Sequence, residues 1–370
     1  MMEYTPYALD ITLDRYFPLE YLEIALNRLK IDVSTHIIGY SEQQRPIYGL
    51  EFGEGPTKVL MWSQMHGNES TTTKALIDLL HLLQYDAEVK NIIVSNCKLY
   101  IIPILSPDGA KKYTRLNANQ VDLNRDSQKR TQVESQLLRK VFESFQPDFC
   151  FNLHGQRTIF SVGQSAVPAT VSFLAPAFDE ARSLNEHRKT AMQLIALMTE
   201  ELYRFIPKGV GRYDDGFNAN CVGDAFMMAG VPTILFEAGH FPNDYNRTKT
   251  RELIFRALLA GLRAIIDKSF LNYSVTDYLA IPENGKCFVD IIVSNAHELN
   301  KNIPKNVDLA ILFKEELVNE AVDFVPQIMK KGDVTGFYGH KQLNAAENAD
   351  RLEISRFKRL SRLIEQYGID

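Results

Sequence analysis

His66 and Glu69, in the stretch Gln64-Met65-His66-Gly67-Asn68-Glu69-Ser70, stand three positions apart. An imidazole and a carboxylate at that offset can turn onto one cation, since zinc accepts both as ligands. Of the eight His residues, only His66 has an acid three positions on. The same pattern also suits a His and a Glu at the start of a helix. Two further polar groups end apolar runs: His154 follows Leu153, and Glu237 follows Phe236. His66, Glu69 and His154 would form a two-His, one-carboxylate zinc site with a position free for water, the arrangement of catalytic rather than closed structural zinc. Glu237 is then left over as a base. Between these lies the polar segment 115–126, whose Arg115 and Arg125 do not fit a core element. A guanidinium fork binds carboxylates bidentately and stabilises oxyanions, although either arginine alone also suits a solvated loop, paired to an acid.

These groups need elements to bring them together. Apolar spacing predicts a helix over residues 21–29 and two short strands within 37–52, around a turn at 39–46. From there strand and helix alternate: strands at 58–63, 97–105, 148–153 and 232–237, and helices at 71–83, 134–145, 190–205 and 251–266. Such alternation predicts an α/β fold with a mixed, largely parallel twisted sheet and helices on both faces. Ser106-Pro107-Asp108-Gly109 reads as a turn. In open sheets of this kind ligands bind beyond the carboxyl ends of the strands, so the ends that carry His66, Asp108, His154 and Glu237 should converge.

After about residue 272 the character changes. Short strands are expected at 287–293, 307–313 and 318–324, and a basic amphipathic helix at 352–367 whose arginines read as a solvated face. The expected organisation is a catalytic domain over residues 1–271, with its motifs within about 37–266, and a small C-terminal β-rich α+β domain over 272–370.

With 370 residues, 45% of them hydrophobic, the chain can build one large core and a smaller one, and nothing in it reads as disorder. A net charge of −5 speaks against a nucleic-acid backbone as partner. No apolar run approaches the roughly 18 residues that span a bilayer, and the first residues lack a basic stretch followed by an apolar one, so no membrane partner and a cytoplasmic location are expected. Cys97, Cys150, Cys221 and Cys287 are far apart, which predicts free thiols.

The ordered series His66-Gly67-Asn68-Glu69, Pro107-Asp108-Gly109, Arg115, Asp122-Leu123-Asn124-Arg125, His154 and Phe236-Glu237 resembles the zinc carboxypeptidase family typified by pancreatic carboxypeptidase A. The upstream Gly39-x-Ser41-x-x-x-Arg45-Pro46-Ile47 resembles that family's entry motif. The resemblance implies one Zn²⁺ per chain on His66, Glu69 and His154, with Glu237 as general base. It further implies that Arg115 polarises the scissile carbonyl, that Asn124 and Arg125 hold the substrate's terminal carboxylate, and that Tyr213 stands near the place of a substrate-capping tyrosine. The specificity pocket would draw on residues 218–224. One departure is Asn68, where the pancreatic enzymes have an arginine; the cytosolic and deacylase branches of the superfamily share the Asn.

The function so implied is a metallocarboxypeptidase acting on a peptide, or a small amide, with a free carboxylate. The nearest alternative is a zinc amidohydrolase that deacylates small N-acyl amino acids, as in the succinylglutamate desuccinylase and aspartoacylase branch, which also carries a small C-terminal β-rich domain. A third is a zinc-stabilised peptide-binding protein without activity, which would have no need of Glu237.

Overall fold

Val59, Leu60, Met61 and Trp62 are all fully buried, as a strand covered on both faces demands. In the computed structural model, which describes residues 3–10, 14–30 and 33–367, they belong to Thr57–Ser63, a central strand of an eight-stranded sheet. Its order is Ser34–Tyr40, Pro46–Phe52, Cys97–Ile102, Thr57–Ser63, Phe149–Gly155, Thr233–Ala238, Val171–Leu174, Val210–Arg212. The four strands from Cys97–Ile102 to Thr233–Ala238 are mutually parallel, and antiparallel pairing begins on either side of them. The expected mixed, largely parallel sheet is therefore present.

Alternation along the central strands divides the core. Val59, Met61, Phe151 and Phe236 point to a layer built from the helices Thr71–Tyr85, Glu186–Tyr203 and Thr248–Asp267. Leu60, Trp62 and Cys150 point the other way, against Val133–Phe145 and Val222–Met228, where Phe142 and Phe226 stack at 3.9 Å. Helices thus cover both faces. Thr71–Tyr85 is buried on nearly every side, so its one acid, Asp78, needs an internal partner. Arg251 supplies it with a bidentate pair at 2.5 and 2.6 Å, and Tyr4 and the Leu9 amide complete the shell.

Three local expectations are corrected. Ser106–Gly109 is no simple turn: Pro107–Lys112 is a short helix with Pro at its first position, where the missing N–H costs nothing. The strand expected across 318–324 is interrupted by Asn319 and Glu320, both with positive φ, which join Asp308–Val318 to Ala321–Gly332 as a two-residue hairpin. The helix expected at 352–367 is two, Asn348–Arg356 and Lys358–Glu365, broken at Phe357.

These C-terminal elements form a four-stranded sheet in the order Ala321–Gly332, Asp308–Val318, Phe288–Ser294, Tyr338–Asn344. Its core, Ile291, Val293, Leu309, Ile311 and Leu343, is closed by Ile354, Leu360 and Ile364. All four cysteines are free. No helix among the described residues is long and apolar enough to cross a membrane.

Candidate metal centre and cleft

His66 lies in the turn after Thr57–Ser63, three residues beyond the strand's last. That turn approaches the Pro107–Lys112 helix so closely that a Cβ on Gly67 would stand 1.9 Å from the backbone carbon of Gly109, so only glycine fits. The helix is held in turn by its buried Asp108, whose carboxylate accepts from Ser41 Oγ (2.9 Å), the Gln43 amide (2.9 Å) and Arg45 (2.6 Å). The Gly39–Arg45 stretch and Pro107-Asp108-Gly109, read separately in the sequence, are two halves of one clamp beneath His66.

Register sets the rest. In the parallel pairing of Phe149–Gly155 with Thr233–Ala238, His154 stands directly beside Glu237. Both His rings turn their Nδ1 atoms to the same spot: His66 Nδ1 is 3.1 Å from His154 Nδ1 and 2.9 Å from Glu69 Oε1, and His154 Nδ1 is 3.0 Å from Glu69 Oε2. One donor atom from each of the three residues lies within 4.8 Å of the others. Two ring nitrogens and a carboxylate meeting in a buried place repel one another unless a proton or cation lies between them, so the donor set fits a divalent metal. On its far edge, His66 Nε2 meets Asp122 Oδ1 at 3.0 Å.

The electrostatics follow from burial and from these pairs. Burial opposes ionisation of Glu69, but the charge and hydrogen bonds of His66 and His154 outweigh it and hold the carboxyl below its usual range. Burial pushes His154 down, whereas Glu69 and Asp122 overcome burial at His66 and raise it. Glu237 is the opposite case: burial, then the charge of Glu69, push it well above the usual carboxylate range, and its Oε2 is buried with no hydrogen-bond partner among the described residues.

A cleft of about 650 Å³ opens over these groups, lined by His66, Glu69, Arg115, Asn124, Arg125, His154, Tyr213 and Glu237, whereas Asp108, expected to converge with them, is held in the clamp by Ser41, Gln43 and Arg45 and does not line it. Arg115 is paired with Asp122 at 3.0 Å and lies 3.4 Å from Glu69. Arg125 has no acid partner among the described residues; its guanidinium donates to the Asn124 carbonyl (2.7 Å) and to Cys221 Sγ (3.1 Å). Asn124 Oδ1 accepts from the Val222 amide at 3.0 Å. Tyr213 follows Val210–Arg212 and packs its ring on Phe160. Of the stretch 218–224, Cys221, Gly223 and Asp224 reach the cleft, and burial pushes the Asp224 carboxyl up to about 6.

Sequence reasoning assigned no role to Asp122, although it stands directly before Leu123-Asn124-Arg125. It also missed a second group of lining residues from the C-terminal segment, among them Asp290, Phe313, Glu315 and Phe324. Asp290, Phe313 and Phe324 fall in segments read as short strands and Glu315 between two of them, and none carried a sign of which surface it meets.

The fold and the motif series resemble those of zinc carboxypeptidases. The family model described as zinc carboxypeptidase matches residues 20–163. Among curated proteins the chain resembles carboxypeptidase SOL1 of Arabidopsis thaliana, 33% identical over 98 residues, which is 24% of this chain and 20% of that protein; the chain thus spans about a fifth of that relative's length. The fold is that of solved carboxypeptidases. A metallo-carboxypeptidase from Burkholderia cenocepacia superposes with a TM-score of 0.56 at 16% identity, over 70% of this chain and 71% of that one. Carboxypeptidase A from Helicoverpa armigera does so with 0.55 at 17% identity, over 69% and 75%.

Proposed function

We propose that this protein is a zinc-dependent metallocarboxypeptidase, hydrolysing the amide bond next to a free terminal carboxylate. The observation that carries it is the meeting of His66, Glu69 and His154 beside Glu237, whose buried Oε2 has no partner of its own. On this reading His66, Glu69 and His154 hold one zinc per chain. Bound there, zinc supplies Lewis acidity to a water and to the scissile carbonyl. Glu237 is the general base: its carboxylate takes a proton from water and passes it to the leaving nitrogen. Arg115 faces the carbonyl oxygen as charge develops on it. Asn124 and Arg125 hold the substrate's carboxylate, a role supported by the lack of an acid partner for Arg125. Tyr213, on the cleft wall, covers the bound residue.

The same reading assigns residues 1–271 to a catalytic domain and 272–370 to a small C-terminal domain, and the four free thiols fit a reducing, cytoplasmic setting. The test is an assay of purified, zinc-loaded protein on C-terminal dipeptides, D-amino-acid peptides and N-acyl amino acids. Release of the carboxylate-bearing residue, abolished by chelation and restored by zinc, is expected. Metal-independent cleavage, or none across the panel, would remove the proposal.

A further inference from the structure

The two arginines of the polar segment are held in opposite ways. Arg115 pairs with the Asp122 carboxylate, whereas Arg125 rests on two neutral acceptors, the Asn124 carbonyl (2.7 Å) and Cys221 Sγ (3.1 Å). Cys221 lines the cleft and is half-buried, while the other three cysteines are buried. Burial pushes its thiol up to about 11 although the charge of Arg125 pulls the other way, so at neutral pH the sulfur is protonated, uncharged and a weak acceptor. Such a contact gives a guanidinium a direction without neutralising it. The stronger, charge-assisted bond is left for an incoming anion.

The thiol is itself placed by a seam between residues 124–128 and 219–222. The Val222 amide donates to Asn124 Oδ1 (3.0 Å), the Ser127 amide to the Asn220 carbonyl (3.2 Å), and Gln128 Nε2 to the Ala219 carbonyl (2.9 Å). These three bonds bracket the contact of Arg125 with Cys221, so the sulfur cannot drift from the guanidinium without breaking them. Cys221 also directly precedes Val222–Met228, whose first turn brings Gly223 and Asp224 to the cleft. Among the described residues no hydrogen bond joins Cys221 to His66, Glu69, His154 or Glu237, so its side chain can be changed with the metal ligands and the base left in place.

From this geometry we infer that Cys221 is a positioning residue for carboxylate recognition: its neutral sulfur holds the Arg125 guanidinium at the cleft and gives it up to the substrate's carboxylate. The inference rests on the role proposed for Arg125, and its test separates the two. Zinc-loaded natural protein, Cys221→Ala, Cys221→Ser, Cys221→Asp, Arg125→Ala and the Cys221→Ala/Arg125→Ala double variant are assayed on one N-acetyl dipeptide with a free C-terminus and on its C-terminal amide. Cys221→Ala should raise KM for the free acid about 3- to 10-fold, the effect of one neutral hydrogen bond, with kcat kept and the amide unaffected. Cys221→Ser restores a neutral acceptor and should recover most of that loss. Cys221→Asp should be the worst of the three, at about 10- to 100-fold, because an internal carboxylate then occupies the guanidinium. In the double variant the Cys221 change should add nothing to Arg125→Ala, since it acts only through that side chain.

A KM unmoved by Cys221→Ala, an equal loss for acid and amide, a fall in kcat, or losses that add in the double variant would each overturn the inference. Unfolding midpoints check that the variants are folded; if Cys221→Ala is not, the contrast between Ser and Asp decides, and equal KM values for those two overturn it. The same six proteins in a Glu237→Gln background, titrated calorimetrically with the free acid, read the grip without turnover. Affinities in the order natural, Ser, Ala, Asp, from a protein that hydrolyses nothing, would keep the role of Cys221 and remove the hydrolase reading. Binding that is absent, or indifferent to Arg125→Ala, would remove both the grip and the inference.

Discussion

Asp122 Oδ1 lies 3.0 Å from His66 Nε2, on the ring edge opposite the nitrogen that meets Glu69 and His154. The same carboxylate accepts from Arg115 (3.0 Å) and from the Asn124 amide (2.9 Å), so one side chain orients a candidate metal ligand, the candidate oxyanion donor and the start of the carboxylate grip. Partners of this kind fix the tautomer and direction of a ligating imidazole. Asp122→Asn should therefore weaken zinc binding by about 10–100-fold while leaving the fold intact. Competition with a metal chelator measures it, and an unchanged affinity would show that His66 needs no help from Asp122.

Glu237 separates metal binding from chemistry. Its Oε2 has no partner among the described residues, and it is not among the three residues whose donor atoms meet. Glu237→Gln should keep a full complement of zinc and lose about 10²- to 10⁴-fold in kcat. His154→Ala, by contrast, should lose the metal itself. Elemental analysis alongside rates distinguishes the two, and near-normal turnover by Glu237→Gln would rule out its role as base.

Arg125, which has no acid partner among the described residues, predicts that the carboxylate of the substrate is required. Arg125→Ala should raise KM strongly, since a charge-assisted hydrogen bond contributes about 1.5–3 kcal/mol. Amidating the substrate's terminus should harm the natural protein but add little to the loss in Arg125→Ala, because the interacting partner is already gone. If the two losses simply add, Arg125 does not hold that group.

Stability is expected to depend on a pair remote from the cleft. Asp78 is fully buried in Thr71–Tyr85 and held by Arg251 from Thr248–Asp267. Arg251→Ala would leave the carboxylate without its cation and should cost about 3–5 kcal/mol. The midpoint of denaturant unfolding reads the change. A loss below about 1 kcal/mol, the level of a surface pair, would mean that Tyr4 and the Leu9 amide suffice.

Most of the helices and strands of the main sheet were legible because each helix carries its own apolar period and each central strand a short apolar run, and the polar ends of those strands marked His66, His154 and Glu237. Local signals failed where a tertiary partner overrode them. Ser106-Pro107-Asp108-Gly109 has the composition of a turn, yet Asp108 is satisfied by Ser41, Gln43 and Arg45 from some 65 residues away, and the segment closes into a helix around that clamp. Asn319 and Glu320 carried no glycine to announce the two-residue turn that their positive φ angles make.

By itself the sequence determined which groups could do chemistry and that they stand at strand ends, since residue type and hydrophobic period are local properties. Only the tertiary structure decided which of them meet. The strand register that puts His154 beside Glu237, the contact of Asp122 with His66 across 56 positions, and the seating of Glu315 between Arg15 and Tyr113 all depend on long-range packing. Such contacts leave no period along the chain, because the energy that selects them comes from burying faces and pairing charges that the backbone brings together only when it is folded.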